Sequence, residues 1–197
     1  MADYTALVEA GNALVEFLRE ELTPEPISKR DLISLCSPHE SENNQLTVYL
    51  FHLEEDAQAG QGGFYPYSRD VEKARPTVMT ASVLITAHSI APVQMRQADQ
   101  YRMMGAVIQA VKDMPILDKK YLSGSQAQAG EELHLSVERP NFDQLIKIWN
   151  NNTAPYKLSV VIKVTGISIE SKRTRRVRRV VDVVFGADQT PERREEP

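Results

Sequence analysis

Residues 46–53 carry apolar side chains on both faces of a predicted strand, and this pattern constrains the fold more than any other in the sequence. Successive side chains of an extended chain point to opposite faces, so the two apolar sets are Leu46, Val48 and Leu50, and Tyr49, Phe51 and Leu53. A strand that is apolar on both faces has to be covered on both sides. We therefore expect a sheet at the centre of the fold, with this segment as an inner strand.

The other hydrophobic patterns predict helices and strands in an irregular order. Periods of 3.6 and 2 residues predict helices at 3–22, 93–113 and briefly after Pro140, and strands at 31–36, 46–53, 75–87, 133–137, 155–169 and 175–185. The predicted buried stripe of the second helix is Ala98, Tyr101, Met104, Ile108 and Val111. Helices and strands do not alternate as in repeated βαβ units. The sequence thus predicts an α+β fold with a mostly antiparallel or mixed central sheet, on which the N-terminal helix and two further helices pack.

Length and composition indicate one domain with a polar tail. The 197 residues fit a single domain of ordinary size, and a hydrophobic content of 42% supports a packed core. We expect the α+β domain to cover 1–186 and the polar segment 187–197 to be disordered. The start of the chain lacks the basic segment of a secretory signal. No apolar run approaches the roughly 18 residues that a membrane span needs, so we expect a cytoplasmic protein.

The residue types that usually carry catalysis do not form a recognisable motif in this sequence. The four histidines are far apart in the chain, at His39, His52, His88 and His134. A single cysteine, Cys36, excludes an internal disulfide and a cysteine-based zinc cluster. The glycines at 60–63 are not followed by the Gly-Lys-Ser/Thr of a phosphate loop, and Ser123 and Ser125 lack the flanking glycines of a nucleophile elbow. The sequence predicts no enzyme active site, no cofactor and no metal.

The segment 172–179 is strongly basic in an otherwise acidic chain. Its six bases are Lys172, Arg173, Arg175, Arg176, Arg178 and Arg179. Without them, 17 bases remain against 27 acids, so the rest of the chain carries a net charge of −10. Two interpretations remain open: a charged edge strand that prevents aggregation, or a surface that pairs with acidic groups of a partner or of a neighbouring copy. Nucleic-acid binding is disfavoured, because the strip contains no aromatic residue for stacking on bases.

A second candidate interface is the aromatic cluster Phe64, Tyr65 and Tyr67. It falls in the glycine-containing segment 54–75, which the sequence predicts to be a long polar loop. Such a loop either folds back on the core or forms a contact arm that becomes ordered on assembly. The predicted interface therefore consists of these three aromatic residues and the six bases of the strip.

Four segments together resemble one family. They are 46–56, 75–87, 101–117 and the stretch from Phe142 through Trp149 to Lys163, and Gly105, Pro115 and Trp149 add to the match. The sequence resembles the cap, or tube-terminator, proteins of extracellular contractile injection systems, which are relatives of contractile phage tails. Asp56 departs from the family pattern, which often has Asn there, and the chain looks like a minimal version of the family's N-terminal domain.

The resemblance implies a structural role in a phage-tail-like particle. It implies a hexameric ring on the distal end of the inner tube that stops tube and sheath growth, with copies of the same chain, the tube protein and the sheath protein as partners. Assembly would take place in the cytoplasm, without nucleic acid. Two functions of other classes remain as alternatives: a small cytosolic enzyme whose active site follows no visible motif, and a nucleic-acid-binding module that uses residues 172–179.

Overall fold

A computed structural model describes residues 4–40, 43–56, 62–139 and 156–177, together with positions 143, 146, 147 and 149, which are helical. The helices are α1 (Ala6–Leu22), α2 (Val93–Asp113) and α3 (Gly124–Ala129). The strands are β1 (Ile33–Leu35), β2 (Leu46–Glu55), β3 (Phe64–Ser68), β4 (Val71–Ala74), β5 (Thr77–Ala87), β6 (His134–Glu138), β7 (Ser159–Ile169) and β8 (Thr174–Arg176). None of the helices in these ranges is long and apolar enough to cross a membrane.

The main sheet has five strands in the order β1-β2-β5-β7-β6. β1 is parallel to β2, and the other neighbours are antiparallel. β2 is an inner strand between β1 and β5, as its apolar pattern predicts. The expected α+β fold with a mixed sheet is confirmed.

Helices α1 and α2 cover one face of the main sheet and form the core with it. The α1 side chains Leu14, Phe17 and Leu18 are fully buried, because apolar residues recur every three to four positions along this helix. They pack in one cluster with sheet residues such as Val83 and Ile162. Burying a side chain of this size contributes about 1.5–3 kcal/mol, so this face supplies most of the hydrophobic stabilisation.

A smaller hydrophobic cluster lies apart from this core, and β2 is less buried than its sequence pattern predicts. Leu84, Val161 and Trp149 are buried there, with Phe51 packed against them. β2 is buried only in its first half, since the residues from His52 onward are exposed. The register of β2 against β5 shifts between Leu50 and His52, so the strict alternation of the sequence pattern is interrupted at Phe51.

Helix α2 has the predicted bounds, and its predicted buried stripe is only partly correct. Met104 and Val111 are buried as predicted, but Tyr101 is 61% exposed and Ile108 is 40% exposed. The other buried residues of the helix are Met103, Val107 and Ala110. They have the same spacings of three and four residues, so periodicity alone does not distinguish them from the predicted stripe. Which side of the helix is buried is determined by the elements around it, because the second half of α2 packs on α1, β5 and β6.

One predicted loop contains regular structure. Segment 54–75 was predicted to be a polar loop, but β2 extends to Glu55 and residues 64–74 form a β-hairpin. Segment 118–131 contains a 3₁₀ turn at Lys119–Tyr121 and the short helix α3. Residues 57–61 and 178–197 lie outside the described ranges, and with them most of the predicted strand 175–185 and the predicted tail 187–197.

Candidate interface

Strands β3, β4 and β8 form a second sheet, which we call the arm. β4 lies in the middle and pairs antiparallel with both neighbours. The Ala74 amide donates to the Arg173 carbonyl at 2.9 Å, and the Val177 amide donates to the Asp70 carbonyl at 3.0 Å. These bonds attach the basic strip to the hairpin that holds the aromatic cluster. The structure thus brings together two candidate surfaces that are about a hundred residues apart in the sequence.

Phe64 and Arg175 contact each other within the arm. The guanidinium carbon of Arg175 lies 4.3 Å from the centroid of the Phe64 ring, and that of Arg173 lies 5.5 Å from it. Nε and Nη2 of Arg175 both lie 2.8 Å from Oε2 of Glu72, the residue opposite it in the sheet. A cation over an aromatic face is attracted by the ring's quadrupole. Arg175 therefore holds β3 and β8 against β4, and its predicted contact with a partner stays a prediction.

Lys73 anchors the arm to the main sheet. Its ammonium group pairs with the carboxylate of Glu170, which directly follows β7, and lies 5.5 Å from the ring centroid of Tyr67. The hydrogen bond that Lys73 donates to Glu170 raises the pKa of Lys73 despite the opposing effect of burial. A buried lysine is tolerated only when its charge is compensated. The root of the arm is thus fixed by an ion pair rather than by an apolar contact.

All four bases of the strip that lie in the described part of the chain are exposed, Lys172 and Arg176 as well as Arg173 and Arg175. Lys172 lies 5.8 Å from the ring centroid of Tyr4, near the start of α1. Arg176 is exposed at the end of β8, opposite Val71. Tyr67 is half exposed and Tyr65 is partly buried. Arg178 and Arg179 lie outside the described residues, so their predicted roles keep the status of predictions.

The outer edge of β8 carries backbone groups without a strand partner in the described part of the chain. Residues 173, 175 and 177 bond or pair toward β4. Backbone groups of a strand alternate in direction, so those of Thr174 and Arg176 point to the other side. An open strand edge flanked by arginines either repels further strands or accepts an acidic one.

Sequence reasoning missed the acidic residues that neutralise the arm from within. Glu72 lies about a hundred residues before Arg175, with which it pairs, and Glu170 pairs with Lys73, which lies 97 residues before it. No local pattern marks either pairing. A signal for the hairpin was present: Phe64–Tyr67 and Val71–Ala74 are two short segments joined by a polar turn. The nearby glycines and Pro66 favoured the loop interpretation instead.

The described residues hold no cluster of three His, Cys, Asp or Glu side chains that could bind a metal ion. Two of the histidines occupy structural positions. His88 is buried and bonds Thr47 and Lys157, and His39 packs edge-on against Trp149 with centroids 5.1 Å apart. The arm is therefore the strongest candidate among the surfaces that the sequence singled out.

Comparison with known proteins identifies the family. The family model of the Pvc16 N-terminal domain matches residues 9–182, which is most of the chain. The chain belongs to the Pvc16 N-terminal domain family. The resemblance inferred from the sequence is confirmed at this level. A comparison with curated proteins finds no match.

Two solved structures share the fold of this Pvc16 N-terminal domain. One is described as the PVC sheath/tube terminator of an extracellular contractile injection system in the extended state, with a TM-score of 0.65 and 18% identity. The other is the tube-terminating cap of the anti-feeding prophage, with a TM-score of 0.57 and 18% identity. They are matched over 97% and 91% of this chain. The chain spans 66% and 61% of the two neighbours, less than two thirds of their length.

Proposed function

We propose that this protein is a structural cap that ends the inner tube of a contractile, phage-tail-like injection particle. The observation that carries the proposal is membership of the Pvc16 N-terminal domain family, together with the fold shared with a sheath/tube terminator and a tube-terminating cap. The role is non-catalytic and needs no cofactor. Assembly takes place in the cytoplasm, on the end of the growing tube.

The cap works as a closed ring, which we take to be a homohexamer. Such a ring is built from heterologous contacts, in which one surface of each copy meets a different surface of the next. A second surface of every copy has to match the last layer of tube or sheath. Charge separation within the chain supports this arrangement, since complementary charges set the register of a contact more than its strength.

We propose the arm as the surface that meets an acidic group of tube, sheath or neighbour. The proposed contact residues are the bases of the strip, Lys172, Arg173, Arg175, Arg176, Arg178 and Arg179, and the aromatic residues Phe64, Tyr65 and Tyr67. Glu72 and Phe64 hold Arg175 in place, so the outward charge is presented by Arg176 and its neighbours. Because the arm is a formed β-sheet, little ordering entropy is lost when it binds.

The decisive experiment uses the full chain with tubes of the same particle. Tube protein is polymerised with and without the purified protein, and tube lengths and ends are measured by negative-stain electron microscopy. We expect shorter tubes of uniform length, each with a six-fold ring at one end. Tubes of unchanged length with bare ends, at a saturating concentration of the protein, would refute the proposed function.

A further inference from the structure

An apolar groove lies between helix α1 and the β1 edge of the main sheet. Its volume is about 390 Å³, and its walls include Leu7 and Val8 of α1, Leu35 of β1, and Tyr49 and Leu50 of β2. Val8 is 57% exposed and Leu35 is 40% exposed. Exposed apolar side chains that line one concave surface indicate a site of contact with another protein.

A convex apolar surface lies on helix α2, and we call it the ridge. It consists of Tyr101, Gly105 and Ile108, which are four and three residues apart and so share one side of the helix. All three positions are exposed, and a side chain built at Gly105 would meet no atom within 4 Å. Two large apolar residues therefore flank a position where another chain can approach the helix backbone closely.

The groove and the ridge are two different surfaces of the chain. The groove is lined by residues of α1, β1 and β2. The ridge lies on α2, which packs on α1, β5 and β6 and contributes no residue to the groove. Two different surfaces on one chain are what a head-to-tail contact requires.

We infer that the occupant of the groove is a second copy of this chain, whose ridge seats in it. The contact deepens the proposed function, on which it rests, by naming the two surfaces that join neighbouring subunits. Charge complementarity supports the pairing: exposed Glu40 lines the groove, and exposed Arg102 lies beside Tyr101. Neither forms an ion pair within the described ranges.

Tyr101 is the anchor of this contact. Aromatic side chains that fill a pocket at the centre of an interface contribute a large part of the binding energy, and polar groups around them exclude water. Stable interfaces bury about 800 Å² on each partner, which is more than the ridge offers alone. Ile90 and Val93, which lead into α2 and begin it, are also exposed apolar residues.

A disulfide trap tests the contact, because the chain's single cysteine, Cys36, lines the groove. The variant Ile108→Cys places a second thiol on the ridge. If ridge and groove meet head to tail, mild oxidation links Cys36 of one copy to position 108 of the next, and a non-reducing gel shows a ladder of dimers, trimers and larger species. Two controls are matched to it: Ile108→Cys with Cys36→Ser, and Arg96→Cys, whose position lies nine residues from Gly105 and about 180° around the helix.

The outcomes separate this inference from the proposed function when the same samples are imaged with tubes. A ladder for Ile108→Cys alone supports the contact. Rings on tube ends without a ladder overturn the contact and leave the cap function standing, as does an equal ladder from Arg96→Cys. A ladder without rings or capped tubes supports the head-to-tail contact but refutes the cap, and the absence of both refutes both.

A second variant tests the contact without cross-linking. Gly105→Gln adds a side chain at the centre of the ridge, where its Cβ meets no atom within 4 Å. We expect about a tenfold or greater loss in ring formation, measured by mass photometry across a concentration series. The matched control Arg96→Gln lies on the opposite side of α2 and should assemble normally. Unchanged assembly of Gly105→Gln would overturn the inference.

Discussion

The side chain of Arg175 bridges Phe64 and Glu72, with its guanidinium 4.3 Å from the ring centroid and 2.8 Å from the carboxylate. Three strands are joined by this one side chain, because Phe64 lies on β3, Glu72 on β4 and Arg175 on β8. The next residue, Arg176, is exposed and lies opposite Val71. Adjacent arginines of one basic strip therefore have different roles, the first in the fold of the arm and the second at its surface.

Charge reversal should separate these two roles. We expect Arg176→Glu to change the free energy of unfolding by no more than about 0.5 kcal/mol, because surface substitutions usually have small effects, and to leave tubes uncapped. Arg175→Glu should cost about 1 kcal/mol, since it removes an exposed ion pair and a cation–π contact and places a carboxylate next to Glu72. Urea unfolding and tube-length measurements check both. Normal capping by Arg176→Glu would mean that the strip is only a charged edge strand that prevents aggregation.

Hydrogen exchange should show whether the arm is formed before assembly. The amides of Ala74, Arg75 and Val177 each bond a backbone carbonyl across the arm, so they should exchange slowly in the free protein. Gly62, which is exposed and precedes the hairpin, provides the fast-exchanging reference within the same peptide region. Equally fast exchange at all four positions would mean that the arm orders only against a partner.

Two glycines should respond to alanine in opposite ways. Gly166 has φ +92°, and a Cβ there would lie 2.3 Å from the Glu132 carbonyl oxygen, so Gly166→Ala should cost about 2–4 kcal/mol. Gly105 lies inside α2 with open space around it. Gly105→Ala should therefore stabilise the monomer by up to about 1 kcal/mol. Thermal unfolding of both variants checks the pair, and a stabilising Gly166→Ala would contradict the close approach of β7 to residue 132.

The elements predicted most accurately from sequence are those whose local pattern matches their burial. Helix α2 has the predicted bounds, Val93–Asp113, because a proline at each end delimits it. β5 and β7 were predicted because their apolar alternation continues for more than ten residues. The pattern was only partly correct where distant segments of the chain determine burial. In α2, Met104 and Val111 are buried as predicted but Tyr101 and Ile108 are exposed, because packing on α1, β5 and β6 determines which side of the helix is buried.

The candidate interface was predicted as two separate segments, and only the fold joins them. Each segment was recognisable by its composition, but the pairing of β8 with β4 links residues about a hundred positions apart. No local pattern encodes such a pairing. The ion pair of Arg175 with Glu72 follows from this pairing, so the difference between Arg175, which has this partner, and Arg176 could not be read from the sequence.

Glu9 should stabilise the contact between α1 and α3 through its charge. Its carboxylate accepts hydrogen bonds from Thr5 Oγ1 at 2.7 Å, Ser125 Oγ at 2.7 Å and the Gln126 amide at 2.8 Å. Burial raises the pKa of Glu9, but these hydrogen bonds outweigh it and lower the pKa to about 2. Glu9→Gln should cost about 1–2 kcal/mol at pH 7, given the partial exposure of the site.

The pH dependence of this effect has a definite sign. Because the folded pKa lies below the ordinary value of 4.5, the stabilisation by Glu9 is complete above pH 4.5 and is lost as the pH falls toward 2. The difference between wild type and Glu9→Gln in urea unfolding should therefore shrink over this range. Ser125→Ala, which removes one of the three donors, should give an intermediate value. A difference independent of pH would show that the charge is not involved.

Acidification should destabilise the fold through His88. This buried imidazole accepts a hydrogen bond at Nδ1 from the Lys157 ammonium at 2.8 Å, so its proton is on Nε2, which lies 3.0 Å from Thr47 Oγ1. Burial and, to a lesser extent, the charge of Lys157 lower the pKa of His88 to about 4. Protonation would place two positive charges side by side in a buried site.

The unfolded chain takes up this proton near pH 6.5, whereas the folded chain takes it up only near pH 4. The free energy of unfolding should therefore be constant above pH 6.5 and should fall as the pH drops from 6.5 toward 4. His88→Gln keeps a neutral hydrogen-bonding side chain, so the slope between pH 6.5 and 4.5 should disappear, whereas His52→Gln, at an exposed position, should retain it. Urea unfolding at half-unit pH steps measures the slope for all three proteins. If His88→Gln kept the slope of the wild type, the loss of stability between pH 6.5 and 4.5 would come from other titrating groups. Protonation of His88 next to Lys157 would then not be its cause.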